Sequence, residues 1–531
     1  MRIFPTVRVV FVLAALFSPG RAAAQGAAPD TAQAAQLCPA SVGVFIQIDN
    51  LAEARALFAH DPLIEYLRTL GPAPQEPKPW RQLQTMLGMD GDQIIDRFFG
   101  RSVAVVAQKA EDGSPWLLLS RVSADDANVL VTKLNLRHLD QLNGFDAYAT
   151  ADDKARLAFG RGWMVVADKR FENVAGNFIK QAGDGPALAD DPDFKAALAK
   201  MPADRTAVAF ARDPGKGEAH VLAAVRRGRD VSLHYAGHSP KFKDLLDRRA
   251  DAKALEFGPL PADTLAAATL NLYDPNPQDN PFVDRLLAPK TFRGDVLPKL
   301  AAPLVVFLGE VKGAAVDPDP GLDVPVLGVA VKLKDPAVAD DLTRVFDGLM
   351  LLANIATVQW QTQPIVVAGA SYHETSYRTA GLGAALAERT GRPELATLKL
   401  SYGRVGDWYV LCTQDTFFKR CIDASGDATA ALVNSPAFKA MAVGEQRGAI
   451  ATYVARPAAV ARHMQTWISH WQKVRPAVIA SAVGDPQTPE AKGVKGVMIL
   501  THVLAHFKSV SFQAHVAEGG ELRGRLDVVR E

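Results

Sequence analysis

The sequence predicts an α+β fold made of two similar halves, each a mainly antiparallel sheet covered by helices. Three observations lead to this prediction. The chain has 531 residues, more than a single hydrophobic core usually serves. Segments that alternate apolar and polar residues follow one another over short turns, which favours antiparallel strands with one packed face. A stretch at residues 187–210 recurs at 431–454, with Ala-Leu at its start and Pro-x-Phe-Lys-Ala at the same offset, and this indicates an internal duplication.

The N-terminus has the parts of a secretory signal peptide. Two arginines precede the apolar residues 9–17, and three alanines at 22–24 offer a small-residue cleavage site. An apolar run of this length is too short to span a bilayer. We expect a signal peptide over residues 1–24, an uncleaved anchor being the alternative, and a flexible leader over 25–36. No later apolar run is long enough to span a bilayer. The sequence therefore predicts an exported chain, periplasmic or extracellular, without a transmembrane segment after cleavage.

The first half, residues 37–245, and the second half, residues 262–531, repeat the same order of elements. In both halves a helix with acidic residues in its first turn follows the third strand, as capping and the helix dipole favour. A charged and then Gly/Pro-rich linker at 246–261 separates the halves. The predicted strands of the first half cover residues 41–49, 102–107, 115–122, 157–161, 163–167, 206–210, 221–225 and 231–236. Those of the second half cover 263–273, 303–309, 326–333, 400–404, 408–412, 509–516 and 522–529, with a further strand that runs up to Tyr453.

One strand of each half ends in aromatic-Gly-Arg, at residues 157–161 and 400–404. We expect the glycine of each motif to supply the positive φ of the turn, with the arginine as its solvated neighbour. The motif therefore predicts a hairpin and no functional arginine.

The halves differ by a helical insertion at residues 455–508. An apolar stripe at helical spacing runs through it, and Pro476 would kink or end the first helix. The stripe consists of Val460, Met464, Trp467, Ile468, Trp471, Val474 and Val478. A second helix is predicted from 489 to 508. The insertion is either additional cover for the core or a hydrophobic lid or groove, for which Met464, Trp467 and Trp471 are the candidate ligand or partner surface.

Cysteine usage gives one further structural expectation. Cys412 ends a strand and Cys421 lies in the following helix, and the matching positions of the first half are also small residues. An oxidising compartment and the implied proximity favour a Cys412–Cys421 disulfide, with two unpaired buried thiols as the alternative. Cys38 would then be left over.

Motifs for catalysis or cofactor binding are absent from the sequence. It contains no G-x-S-x-G, Walker A or H-E-x-x-H pattern and no Gly-rich dinucleotide loop, so we predict no catalytic residue and no cofactor. His463, His470, His502 and His506 could converge on a metal across two helices. Surface or interface histidines are the plainer interpretation, and no metal is predicted.

The charges are balanced, with 59 Lys and Arg against 58 Asp and Glu. A chain without a basic field does not collect polyanions, so nucleic acid is excluded as a primary partner.

The ordered set of repeats resembles a family of exported bacterial proteins known only as a domain of unknown function, here in two tandem copies of its module. The resemblance is carried by Pro-Ala-Asp-Thr before a strand at 261–272, by the Lys-Asp-Pro-Ala segment at 334–342, and by Pro-x-Phe-Lys-Ala at 188–196. It implies export and a non-catalytic role, and it brings no cofactor or site residue.

Three functions are compatible with these features. The first is a non-catalytic binding or structural protein of the cell envelope, with an envelope protein as its partner. The second is a carrier of an apolar or lipid-like ligand. The third is a metal-dependent hydrolase that uses the C-terminal histidines.

Overall fold

The chain separates into two compact units in a computed structural model. Unit 1 comprises Met1–Arg248 with Ala517–Leu526, and unit 2 comprises Arg249–Val516 with Asp527–Glu531. The structure describes residues 31–531 apart from 60, 71–77, 108–115, 182–184, 214, 216, 239–255, 271–298, 317–318, 357–359, 379–381, 384, 387–394, 396–397, 442–448, 485 and 518–520. The predicted signal peptide and most of the predicted linker lie outside these residues.

Among the described residues of Met1–Arg248 in unit 1, ten strands form an antiparallel sheet. Their pairings give the order β4-β5-β6-β7-β3-β2-β1-β8-β9-β10. The strands are β1 (Val44–Asp49), β2 (Ser102–Ala107), β3 (Trp116–Arg121), β4 (Arg137–Leu142), β5 (Phe145–Ala149), β6 (Ala155–Gly160), β7 (Trp163–Asp168), β8 (Ala207–Asp213), β9 (Glu218–Arg227) and β10 (Asp230–His238).

Unit 2 contains antiparallel strands in the corresponding order β14-β15-β16-β17-β13-β12-β11-β18-β19. The strands are β11 (Ala266–Leu270), β12 (Leu300–Val316), β13 (Asp319–Leu333), β14 (Trp360–Val367), β15 (Ala370–Tyr377), β16 (Leu400–Val405), β17 (Trp408–Cys412), β18 (Ala449–Ala455) and β19 (Phe507–Ala517), and the last strand of the chain is β20 (Glu521–Arg530). The predicted antiparallel α+β fold is therefore present.

The described helices have at most ten residues in unit 1, whereas several are longer in unit 2. Their bounds are α1 (Thr31–Leu37), α2 (Leu51–Phe58), α3 (Pro62–Thr69), α4 (Lys78–Leu87), α5 (Gly91–Phe98), α6 (Ala124–Lys133), α7 (Glu172–Gln181), α8 (Pro192–Ala199), α9 (Val338–Ala356), α10 (Asp415–Gly426), α11 (Pro436–Ala440), α12 (Pro457–Val474), α13 (Pro476–Val483) and α14 (Pro489–Ala505). The predicted insertion is thus three helices, and α12 ends just before Pro476 because proline cannot donate the next helical hydrogen bond.

Two hairpins were not predicted: β4–β5 and β14–β15. All residues of β4 except the last are exposed, and β14 is exposed over most of its length. A strand that buries neither face carries no apolar alternation, which is the signal on which strand prediction depends.

Each unit has its largest hydrophobic core on one side of its sheet, and smaller buried clusters lie on the other side. In unit 1 Phe45, Phe194 and Phe210 meet edge to face, with ring centroids 5.7 and 5.1 Å apart. In unit 2 Phe257 meets Phe438 in the same way, at 5.1 Å. Edge-to-face pairs of this kind stabilise a core beyond the area they bury.

Two segments predicted to lie outside the halves, the flexible leader and the linker, contribute to these cores. The leader was predicted to extend to residue 36, but residues 31–37 form α1, and Ala34 and Ala35 are completely buried in unit 1. Small alanine side chains let this helix approach the core closely. In the predicted linker, Phe257 and Leu260 are buried in unit 2. Burial of their apolar side chains lowers the free energy of the folded state.

The turn after β6 also corrects a prediction. Positive φ values belong to Arg161 and Gly162, at 54° and 78°, as a two-residue hairpin turn requires. Gly160 remains in the strand, where a Cβ atom would lie 2.2 Å from the carbonyl oxygen of Gly144. The glycine of the aromatic-Gly-Arg motif is therefore needed for close strand approach and not for a positive φ.

Candidate functional site

One side of the unit 2 sheet carries a row of apolar side chains across four strands. Val306 lies opposite Ala268, Ala268 opposite Tyr453, and Tyr453 opposite Phe512. Directly opposed residues in antiparallel strands project from the same face of a sheet. These residues, together with Leu327 on β13, define the surface that we call the open face.

The open face is exposed, although its side chains are apolar. Leu327 is 61% exposed, Val306 44%, Tyr453 38% and Phe512 36%. Their strand neighbours that project from the opposite face, such as Phe307 and Val454, are buried in the unit 2 core. Soluble proteins rarely leave a contiguous apolar surface of this kind without a binding role.

Helix α9 covers the part of the same sheet side that lies beyond β13. Phe346 of α9 stacks on Tyr409 with ring planes 10° apart and centroids 5.9 Å apart. The hydroxyl of Tyr402 donates to Asp347 at 2.7 Å, and burial raises the pKa of Tyr402 to about 12. This hydrogen bond satisfies the buried Tyr402 hydroxyl and helps to fix α9 in place, so the helix borders the open face.

Helix α12 packs near the C-terminal part of β12 and the N-terminal part of β13. The guanidinium of Arg456, just before the helix, donates to the carbonyl oxygen of Thr264 at 2.6 Å. The indole N–H of Trp467 donates to the carbonyl oxygen of Asp323 at 3.1 Å. Both anchors are made to backbone carbonyls, so they position the helix without depending on another side chain.

A third anchor of α12 is the contact of a buried histidine with a carboxylate. His463 is 6% exposed, and its Nδ1 atom lies 3.6 Å from Oε2 of Glu310. Glu310 lies on β12, four residues after Val306. Because side chains alternate between the two faces of a strand, Glu310 projects from the same side of the sheet as the open face. The adjacent His463, with Lys312 and Arg456 further away, holds the pKa of Glu310 below its usual value. The pair joins the helical insertion to the rim of the open face.

The side chains predicted as a ligand surface on α12 are largely in contact with other residues of unit 2. Met464, Trp467 and Trp471 are half-buried, and the two tryptophan rings contact each other edge to face at 6.2 Å. Trp471 packs against a small core between α13 and α14 that contains Ile479, Ala482, Ala491 and Val494. The stripe thus holds the insertion together and fixes it to the sheet.

The open face was not predicted as a site, although a signal for it exists. Residues 303–309 and 326–333 are nearly continuous apolar runs, which are typical of strands with two apolar faces. A strand with two apolar faces either is covered on both sides or offers one of them to a partner.

A recess on the core side of unit 2 is too small for a lipid. It lies between β11, β18 and α11, is lined by Leu432, Phe438, Met441 and Val454, and has room for about one water molecule. Pockets for drug-sized ligands are typically about 300 Å³ or more. This recess therefore cannot hold an acyl chain.

The predicted disulfide is not formed in this structure. Cys412, Cys421 and Cys38 are free thiols and are all buried. The thiol of Cys412 instead donates to the carbonyl oxygen of Gln414 at 3.3 Å, and both Cys412 and Cys421 pack within the unit 2 core. Two cysteines that fill a core as small apolar residues satisfy the same sequence pattern as a cross-linked pair.

The candidate metal histidines do not form one cluster. In the part of the chain that the structure describes, no three His, Cys, Asp or Glu side chains are grouped as a metal ion requires. His463 and His470 are buried on α12, whereas His502 and His506 lie together at the end of α14 with 3.4 Å between their Nε2 atoms. The ligand set of the hydrolase alternative is therefore not assembled.

Among the same described residues, no helix has the length and apolar character that crossing a membrane demands.

Comparisons with known proteins do not show to which family this chain belongs. No protein-family model matches the chain, and no curated protein matches it. Two solved structures of TP0453, in crystal forms IV and III, align with 11% and 10% sequence identity and TM-scores of 0.24 and 0.23. The alignments cover 41% and 42% of this chain and 87% and 88% of TP0453. At such TM-scores, neither fold nor function transfers to this chain.

Proposed function

We propose that the protein is an exported, non-catalytic binding protein of the cell envelope and that a partner protein docks on the open face. The exposed row of Val306, Tyr453 and Phe512, extended by Leu327, is the observation that carries this proposal. Export is supported by the apolar run at residues 9–17 and the small residues at the expected cleavage site.

The shape of the open face favours a protein partner over a carried lipid. Val306, Tyr453 and Phe512 belong to one register row on paired strands, and Leu327 lies on the same side in the next row. They therefore form a broad surface and not an enclosed tunnel. Apolar centres with charged rims are typical of protein interfaces, and Glu310 and Lys312 lie beside this surface. An apolar ligand remains the alternative, and a lipid would have to lie on the surface.

We also infer that the two units descend from one duplicated module. Three matched hydrogen bonds support this inference. Leu188 donates to the carbonyl of Cys38 and Leu432 to that of Leu260, both at 2.7 Å. Ala40 donates to Pro186 at 2.9 Å and Ala262 to Ala430 at 2.8 Å. The amides of Phe194 and Phe438 are capped by Asp191 and Ser435 at 3.0 and 3.1 Å.

The order of the strands supports the same inference. Each unit places its first strand between its second strand and the strand that follows the Pro-x-Phe-Lys-Ala helix. Chance similarity of composition does not produce matched registers at matched offsets. The duplication makes the insertion 455–508 the main feature that distinguishes unit 2 from unit 1.

Site-specific photo-crosslinking in the producing cells tests the proposed function. A photoreactive amino acid replaces Leu327, and the same replacement at Leu139, which is 40% exposed on β4, is the control. We expect a discrete protein adduct in the envelope fraction from position 327 and none from 139. A second substitution, Phe512→Asp, should abolish the adduct, whereas Val366→Asp, at an exposed position on β14, should not.

Three outcomes would contradict the proposal. Adducts that contain only lipid would favour the carrier alternative. Adducts that persist in the Phe512→Asp variant would show that binding does not use the open face. A chain that fractionates with the cytosol and retains residues 1–24 would remove export from the proposal.

A further inference from the structure

Two histidines lie side by side at the C-terminal end of α14. His502 is in the last turn of the helix, and His506 caps it with helical φ and ψ values of −83° and −4°. Residues four apart in a helix lie on the same face, one above the other. The two imidazole rings have centroids 5.1 Å apart and planes 70° apart, and their Nε2 atoms are 3.4 Å apart.

This separation matches two imidazoles bound to one metal ion. Zinc binds histidine nitrogen at about 2.0–2.1 Å with tetrahedral geometry. Two nitrogens 3.4 Å apart subtend an angle of about 110° at a metal placed at that distance from both. The side chains would need to move little in order to chelate an ion.

We infer that His502 and His506 form a two-histidine chelate for a divalent transition-metal ion. Imidazole ligands suit Zn²⁺, Ni²⁺ and Cu²⁺, and they do not suit Ca²⁺ or Mg²⁺, which prefer oxygen. Since no group of three ligand side chains is present among the described residues, the remaining positions on the ion are filled by water or by an external ligand. The site is therefore a surface chelate and not a closed structural centre.

The surroundings of the pair contain charges of both signs. The C-terminal end of a helix carries a partial negative charge that favours a cation. Glu531 lies close, since its backbone N–H donates to the carbonyl oxygen of His506 at 3.0 Å. Lys508 follows His506 by two residues in the chain, and the guanidinium of Arg530 is held 5.0 Å from the ring of Phe507. Exposure of His502 to solvent leaves a direct path for an ion.

Metal titration of the tag-free full-length protein tests the inference. Isothermal calorimetry with Ni²⁺, Zn²⁺ and Cu²⁺ at pH 7.5 should show one site per chain, tightest for Cu²⁺ as the Irving–Williams order requires. His502→Gln and His506→Gln should each weaken binding about tenfold or more, because each removes one arm of the chelate. The Cu²⁺ complex should show hyperfine coupling to two imidazole nitrogens by electron paramagnetic resonance.

The control is His138→Gln, which removes an exposed histidine from β4 and should leave the affinity unchanged. Binding should also weaken at pH 5.5, because protons compete for the imidazole nitrogens. A neutral hydrogen bond between the two rings would also explain the observed distance. That explanation prevails, and the inference fails, if the wild type binds no ion at millimolar concentration. The inference also fails if a variant with both His502→Gln and His506→Gln binds the metal ion as tightly as the wild type.

Discussion

The three cysteine side chains are enclosed by apolar neighbours, and this determines their chemistry. Burial raises the pKa of Cys412 to about 12 and raises the pKa values of Cys38 and Cys421 as well. The thiolate is the reactive form of cysteine. At neutral pH the folded protein therefore contains almost no thiolate at these positions.

We expect all three thiols to be unreactive in the native protein and reactive after unfolding. Titration with a thiol reagent at pH 8 should detect none in buffer and three per chain in guanidinium chloride without reductant. The reason is that unfolding removes the desolvation that raises the pKa values. A count of one in the denaturant would instead establish a disulfide in the protein as produced, and peptide mapping would show whether it joins Cys412 and Cys421.

Sequence spacing could place Cys412 and Cys421 near each other, but it could not determine their redox state. The local turn from β17 to α10 fixes their proximity, whereas a disulfide also requires a specific Cβ geometry that depends on tertiary packing. Gly160 shows the same limit. The motif identified a glycine that the fold needs. It did not reveal the reason, which is the close approach of the Gly144 carbonyl, from the turn before β5, to Gly160.

At the scale of elements, the helices α8 and α11 offer a matched pair for comparison. Each begins with proline, and each has a capping side chain before it, Asp191 in unit 1 and Ser435 in unit 2. Asp191 has a second role, because its other carboxylate oxygen lies 2.7 Å from the guanidinium of Arg212. Both side chains of that ion pair are about nine-tenths buried, at 12% and 11% exposure.

Asp191→Ala should therefore destabilise unit 1 more than Ser435→Ala destabilises unit 2. Loss of a cap costs about 1 kcal/mol, and a buried arginine left without its carboxylate partner adds about 3–5 kcal/mol. Hydrogen exchange of the full-length chain, followed by mass spectrometry, measures α8 and α11 separately. Equal effects of the two substitutions would mean that the Asp191–Arg212 pair contributes nothing.

The attachment of α12 should depend on pH through Glu310. Its pKa is lowered in the folded state by His463, so its stabilising contribution is complete above the unfolded pKa and is lost as the pH falls through the folded one. Glu310→Gln should reduce the free energy of unfolding of unit 2 by about 1–2 kcal/mol at pH 7. The difference from wild type should shrink as the pH falls below about 4.5.

Denaturant unfolding between pH 3 and 7 measures this effect. Glu256→Gln is the control, because it removes a half-exposed carboxylate of the same unit that pairs with Lys332. A difference between Glu310→Gln and wild type that stays constant over the whole range would show that the carboxylate charge is not involved.

Most elements of both sheets could be predicted from the sequence because their strands bury one face and therefore alternate. The open face could not be predicted in the same way. The apolar runs of β12 and β13 indicate two apolar faces, but which parts α9 and α12 cover is decided by contacts such as Phe346 with Tyr409. Those contacts join residues far apart in the chain, and single-sequence patterns do not report them.

At the scale of the whole molecule, the chain does not divide at a single point. Residues 517–526 cluster with unit 1, although the segments on either side of them belong to unit 2. Glu521 pairs with Lys200, and Leu526 packs against a unit 1 cluster that includes Ile48, Val231 and Leu233. The sequence predicted the halves as consecutive blocks, because a repeat pattern does not reveal where a terminal strand packs.

Leu526→Ala should accordingly weaken unit 1, although residue 526 lies near the C-terminal end of the sequence. Removal of three carbon atoms from a half-buried leucine costs about 1–2 kcal/mol. Hydrogen exchange should accelerate in β1, β8, β9 and β10, which supply the buried residues of the cluster, and should not change in β14–β17. Leu139→Ala, the same substitution at an exposed position of unit 1, should leave both sets unchanged. Faster exchange confined to unit 2 strands would show that the C-terminal segment belongs to unit 2 alone.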